Sequence, residues 1–142
     1  ATEYTEWVVE QVKEKYPGHR VIFYPDSSGD NASSNASKSD IAILKGAGYE
    51  VRFHPTNPFI SDRINAVQRG FYNKWLFINP DYCPETIDSR LRHAYSKLTN
   101  KPEKFAQPGS VDDRNDAADY PIAFNYPIRG KITKPKTIVV AR

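Results

Sequence analysis

The sequence predicts an α/β fold with a mostly parallel sheet covered by helices, and three observations carry that expectation. Apolar stripes at helical spacing alternate with short apolar runs along most of the chain. The first run, residues 21–24, is unbroken, as in strands buried on both faces of a parallel sheet. The segments between runs are long enough for helical crossovers, which parallel strands require and hairpins do not.

Residues 3–16 read as an amphipathic helix striped by Tyr4, Trp7, Val8 and Val12, with Thr2 as cap and Pro17-Gly18 as stop. Residues 21–24 follow as a central strand, expected to lie beside residues 49–53, and Ser27–Asn35 form a polar loop. Residues 39–47 suit a helix capped by Ser39 and ended by Gly46 and Gly48. Asn57-Pro58 opens a helix whose stripe is Ile60, Ile64, Val67 and Phe71. After a short strand at 75–78, Pro84 begins a helix striped by Ile87, Leu91, Tyr95 and Leu98. A Lys/Pro/Gly-rich loop over 99–110 leads to an acidic helix, which Pro121 should kink or end. Residues 129–142 form a basic tail, with 137–140 as an edge strand or docked segment.

At 142 residues and 39% hydrophobic content the chain suits a single globular domain, 1–142. No apolar run reaches membrane-span length and no secretory signal is visible, so neither a membrane nor a secreted setting is expected. Cys83 is the only cysteine, which excludes an internal disulfide and suits a small core residue in a reducing cytoplasm. Methionine is absent, through removal of an initiator before Ala1 or excision from a longer chain. Residues 1–89 hold 9 Lys/Arg against 12 Asp/Glu, whereas residues 90–142 hold 11 against 5. The second half is thus basic although it contains the densest acids, a pattern that suits metal ions meeting a phosphate backbone or simply a solvated basic surface.

Those acids are Asp112, Asp113, Asp116 and Asp119 within eight residues. On a helix, Asp112 and Asp113 stack with Asp116 at spacings of four and three, and like charges so placed repel. A divalent cation offsets such repulsion, since Mg²⁺ and Mn²⁺ take carboxylate oxygens. A helix start favoured by the macrodipole, with Asp112 as cap, accounts for the stretch equally well. Asp26 adds a further acid at the carboxyl end of the first strand, where open α/β sheets place ligand sites. Its plainer role is an Asx turn that closes on its own loop.

The block Val21-Ile22-Phe23-Tyr24-Pro25-Asp26-Ser27-Ser28-Gly29, followed by Tyr49-Glu50-Val51, Asp62-Arg63-Ile64-Asn65-Ala66-Val67, Leu76-Phe77-Ile78-Asn79-Pro80 through Cys83, and Asp112-Asp113-Arg114-Asn115-Asp116-Ala117, resembles the nuclease domain of the tailed-phage terminase large subunit. Each block is degenerate, and the order and spacing across residues 3–126 carry the likeness. The resemblance implies an RNase H-like fold and a two-metal endonuclease that cuts concatemeric double-stranded DNA during packaging in the host cytoplasm. It implies Asp26, Asp113 and Asp116 as catalytic acids, with Asp112 joining them around Mg²⁺ or Mn²⁺, and Asp26 facing Asp113 across one crevice. Partners implied are the terminase ATPase domain, the small terminase subunit and the portal. DNA contacts are expected from Lys38, Arg63, Arg114, Lys131, Lys134 and Lys136.

The sequence departs from that family at the front. The family's first acid lies on a three-stranded meander before a helix like residues 3–16, and no such meander occurs here. The chain therefore resembles the later part of the nuclease domain, expected to be weak or inactive alone. No Gly-x-x-x-x-Gly-Lys-Ser/Thr loop of an ATPase and no Gly-x-Ser-x-Gly elbow of a serine hydrolase is present. His19, His54 and His93 show no ligand spacing. The competing reading is a catalytically incomplete module that docks on DNA or portal.

Overall fold

The computed structural model describes residues 2–30, 39–105 and 110–128 in full, together with the backbone of 138–140. Its element order is α1 (Thr2–Lys15), β1 (Ile22–Phe23), a 3₁₀ turn (Ser27–Asp30), α2 (Asp40–Gly46), β2 (Glu50–Val51), α3 (Ile60–Tyr72), β3 (Leu76–Ile78), α4 (Pro84–Arg92), α5 (Val111–Asn125) and β4 (Ile138–Val140). The mixed α/β class and the alternation read from the sequence both hold. The chain folds as two compact units, Ala1–Pro58 and Phe59–Arg142, where the sequence pattern suggested one domain.

In the N-terminal unit, β1 pairs in parallel with β2, Ile22 opposite Glu50 and Phe23 opposite Val51. The pairing of these two segments is as expected, but β1 is half-buried and has β2 as its one ladder partner among the described residues. Phe23 packs edge-on against Tyr49 at 5.1 Å between ring centroids. α1 lies on α2, and the core is Val9, Ile41 and Leu44. Tyr4 and Trp7, expected inside, stack on each other at the surface, because the buried face of α1 runs through Val9 instead. Ser39 caps α2 by accepting from the Ala42 N–H at 3.2 Å, and Gly48 (φ +88°) supplies the left-handed backbone that leads out of the helix.

The C-terminal unit is built on α5, which packs against both α3 and α4. Its apolar core is Ala66, Val67, Leu76, Ile122 and Ala123, flanked by Trp75 and Ile128. Full burial of a side chain such as Ile122 stabilises by roughly 1.5–3 kcal/mol. β3 pairs in parallel with β4, Leu76 opposite Ile138 through Ile78 opposite Val140, so 138–140 forms the strand foreseen for the tail. The connection from β3 to β4 runs through α4 and α5, the helical crossover that parallel pairing demands.

Two helices turn a different face inward from the one their apolar stripes suggested. In α3 the buried positions are Arg63, Ala66, Val67 and Gly70, while Ile60 and Phe71 remain about 40% exposed. Gly70 explains the rotation, since a Cβ there would lie 2.8 Å from Leu76 Cβ, and so α3 approaches β3 through its small residues. α4 stops at Arg92 and buries Ser89, leaving Leu91 and Leu98 at the surface. Pro121 neither ends nor shortens α5, which continues to Asn125. Cys83 is buried, as expected. No helix among the described residues is long and apolar enough to cross a membrane.

Candidate functional site

The buried face of α5 is polar. Asp112, Asn115 and Asp119 are each about 2% exposed, at spacings of three and four, before the apolar Ile122 and Ala123 take over the same face. Buried carboxylates require counter-charges, and the neighbouring segments provide them. Lys104, on the segment leading to α5, places its Nζ 3.4 Å from Asp112 Oδ2 and 3.1 Å from Asp116 Oδ2. Arg63 reaches the other oxygen of Asp116 from α3 at 3.2 Å, and its guanidinium lies 4.5 Å from the centre of the Tyr120 ring. Arg90, on α4, pairs with Asp119. Three cations thus meet three carboxylates, so the cluster is close to electrically neutral.

A lysine ammonium sits where the stacked acids Asp112 and Asp116 were expected to need a counter-charge. Burial pushes the Asp112 carboxyl up. Hydrogen bonds from Ser110 Oγ (2.6 Å) and the Phe105 N–H (3.4 Å), helped by Lys104, outweigh that and hold it below the usual carboxylate range. Burial dominates at Asp119, raising its pKa despite the pull of Arg90 and Arg63 and with a push from Asp116. The Lys104 ammonium is held above its ordinary value, because Asp116 and Asp112 outweigh its partial desolvation.

Asn115 ties α5 to α4. Its amide nitrogen donates to the Ser89 carbonyl at 3.1 Å and lies 3.0 Å from His93 Nδ1. His93 Nε2 donates to the Glu103 carbonyl at 2.9 Å, so this network keeps the His93 proton on Nε2. Asn115 Oδ1, Arg63 Nε, Arg90 Nε and Ser89 Oγ are buried with no hydrogen-bond partner among the described residues.

The residues singled out from sequence fare unequally. Asp112 and Asp116 converge on one cation, whereas Asp113 lies on the exposed side of α5. Asp26 belongs to the N-terminal unit, where its Oδ1 accepts from the Ser28 N–H at 2.8 Å, the Gly29 N–H at 3.3 Å and the Ser28 hydroxyl. This is the Asx turn of the plainer reading. Arg63, expected to contact DNA, is only 4% exposed and works as an internal counter-ion. Arg114 is an exposed cation 3.7 Å from Glu85. Lys38, Lys131, Lys134 and Lys136 lie outside the described residues. Lys104 and Arg90 were not singled out, and Asn115 and Asp119 were named within the acidic stretch but given no role, although their spacing puts them on one face with Asp112.

Two carboxylate oxygens from successive turns that already converge on an ammonium group fit a hard divalent cation in donor type. Among the described residues no group of three or more His, Cys, Asp or Glu is placed to hold a metal. A full coordination shell would therefore draw on water or substrate oxygens beside Asp112 and Asp116. These features define a mixed α/β protein with a buried ionic cluster on one helix. No family model matches the chain, and neither curated proteins nor solved structures give a match.

Proposed function

We propose that this chain is the nuclease region of a phage DNA-packaging terminase, a Mg²⁺- or Mn²⁺-dependent endonuclease acting on double-stranded DNA. The observation that carries this reading is the convergence of Asp112 and Asp116 on the Lys104 ammonium, which marks a cation position on the helix where the terminase-like Asp-rich motif falls. Asp112 and Asp116 would hold the ion there in place of the Lys104 ammonium, whose side chain is half exposed. When bound, such ions activate water and stabilise the leaving oxygen of a phosphodiester. Arg63 fixes Asp116 from behind through the oxygen that Lys104 does not use, a positioning role. The resemblance gives Asp26 a share in the same reaction. Exposed cations such as Arg114 would contact phosphates without reading sequence.

A docking module without catalysis is the second reading, and the pairing of both Asp112 and Asp116 with the Lys104 ammonium favours it. Plasmid nicking with Mn²⁺ separates the two. A nuclease nicks supercoiled plasmid and loses that activity in Asp116→Asn and Asp26→Asn, whereas a docking module retards DNA in a salt-sensitive way and never nicks it.

A further inference from the structure

In the N-terminal unit a cavity of about 330 Å³ opens between α1, the carboxyl end of β1 and α2. Tyr4, Val8, Phe23 and Leu44 give it an apolar wall. Tyr4 stacks on Trp7 at 5.5 Å between ring centroids and stays 68% exposed, so it forms an aromatic lip outside the core. Asp26 and Asp40 line the same cavity. They flank Gly29, whose N–H lies 3.3 Å from Asp26 Oδ1 and on which a Cβ would lie 3.9 Å from Asp40 Cβ.

Each carboxylate commits one oxygen to the fold. Asp26 Oδ1 closes the turn with Ser28 and Gly29, and Asp40 Oδ1 accepts from the Thr5 hydroxyl at 2.7 Å. The two Oδ2 oxygens hold neither a hydrogen bond nor a cation among the described residues. Both side chains are half-buried and neither oxygen is sealed from solvent, so a ligand can reach them.

This lining selects among ligands. Two carboxylates repel a phosphate and attract a cation. A hard divalent ion keeps about six or more oxygens around it, and most of this wall is apolar carbon. An organic cation on an apolar stem meets both parts of the wall. Guanidinium suits it better than ammonium, because it is planar, more weakly hydrated and able to lie on an aromatic face while its fork of donors serves carboxylate oxygens.

We infer that this cavity takes an alkylguanidinium group, its stem against the apolar wall and its charge between Asp26 and Asp40. The group arrives on a free small molecule or as an arginine side chain of a partner, with the same chemistry in either case. The inference stands apart from the nuclease reading, which draws on Asp26 through resemblance alone.

Titration of the isotope-labelled full chain in two-dimensional ¹H–¹⁵N NMR tests it. The probes are butylguanidine, a free alkylguanidine, and N-acetyl-arginine methylamide, an arginine in peptide form. Both should shift the Gly29, Asp40 and Leu44 amides saturably, and the tighter of the two identifies the source. Butylamine should bind more weakly, and N-acetyl-citrulline methylamide, the neutral isostere, should shift nothing. Asp40→Asn keeps an oxygen for Thr5 and should weaken guanidine binding about tenfold, the scale of one hydrogen bond to a charged group. Tyr4→Ala changes an exposed position and should weaken it about threefold, the scale of an exposed cation–π contact. It serves alone should Asp40→Asn fail to give a folded spectrum. Absence of saturable shifts with both guanidines overturns the inference, as do equal shifts with the citrulline derivative, an amine that binds as tightly, or affinity unchanged in the variants. Mg²⁺ that displaces the guanidine and shifts the same amides assigns the two carboxylates to a metal and overturns it too. Guanidine binding without plasmid nicking keeps the pocket and loses the nuclease, and nicking without guanidine binding does the reverse.

Discussion

Replacing Lys104 by Met keeps most of the aliphatic stem and removes the cation that Asp112 and Asp116 share. The two contacts, 3.4 and 3.1 Å, involve a half-exposed ammonium, one buried carboxylate and one partly exposed. An exposed ion pair contributes about 0.2–1 kcal/mol, and the burial of Asp112 places this set toward the upper end. Unscreened repulsion between acids one turn apart adds about 0.2–0.5 kcal/mol. Arg63 still pairs with Asp116, and Ser110 and the Phe105 N–H still serve Asp112, so neither carboxylate is orphaned. Lys104→Met should therefore destabilise the C-terminal unit by roughly 1–1.5 kcal/mol in urea unfolding at pH 7. Trp75, packed 4.6 Å from Tyr126, reports that unit through its fluorescence. Magnesium supplies the decisive comparison. At tenfold excess over its dissociation constant an ion binding only the native state returns about 1.4 kcal/mol. The variant, its cation position vacated, should recover most of its loss in Mg²⁺, while the wild type responds far less. Adding Asp116→Asn should abolish the recovery, as expected for a coupled pair of sites. A Lys104→Met midpoint that ignores Mg²⁺, or rises no more than that of the wild type, would refute the cation position.

Asp26→Asn keeps a carbonyl oxygen to accept from the Ser28 and Gly29 N–H groups, so its stability should change by less than about 0.5 kcal/mol, whereas Asp26→Ala should cost about 1 kcal/mol; thermal unfolding of both variants separates the turn from any catalytic role. Gly70→Ala gains up to about 1 kcal/mol of helix propensity but drives a methyl into Leu76 Cβ, and overpacking of about 1–3 kcal/mol should leave a net loss visible in denaturant titration. The raised pKa of Asp119 means that the folded state holds this proton more tightly than the unfolded chain. That term favours the fold below the raised pKa and is lost as pH climbs through it. The stability of the wild type relative to Asp119→Asn should therefore improve as the pH falls from neutrality toward the ordinary carboxylate pKa; an unchanged difference in urea midpoints across that range would contradict it.

Local rules made much of the chain legible from sequence. Ser39 before Asp40, Gly48 beyond α2 and Pro84 at the start of α4 are chemical punctuation that acts within a turn, and each operates where expected. The apolar run at 21–24 and residues 49–53 announced a parallel pair because strand propensity and the intervening helix are both local facts. The stacking of Asp112 with Asp116 followed from helix periodicity alone. Tertiary structure decided which cation and which face. Lys104 is eight residues from Asp112 and Arg63 about fifty, and no periodicity links a charge to a counter-charge contributed by another segment. Stripes mislead for the same reason. Ile60, Ile64 and Phe71 form the more apolar face of α3, yet Gly70 and Ala66 permit the closer approach to β3, and packing rewards contact as well as hydrophobicity. Ser89 and Asn115 occupy the α4–α5 interface because its buried polar groups require hydrogen bonds there. Sequence determined where helices and strands begin and which acids stack; long-range packing alone determined which side chains neutralise them and which apolar surface was left to line a cavity.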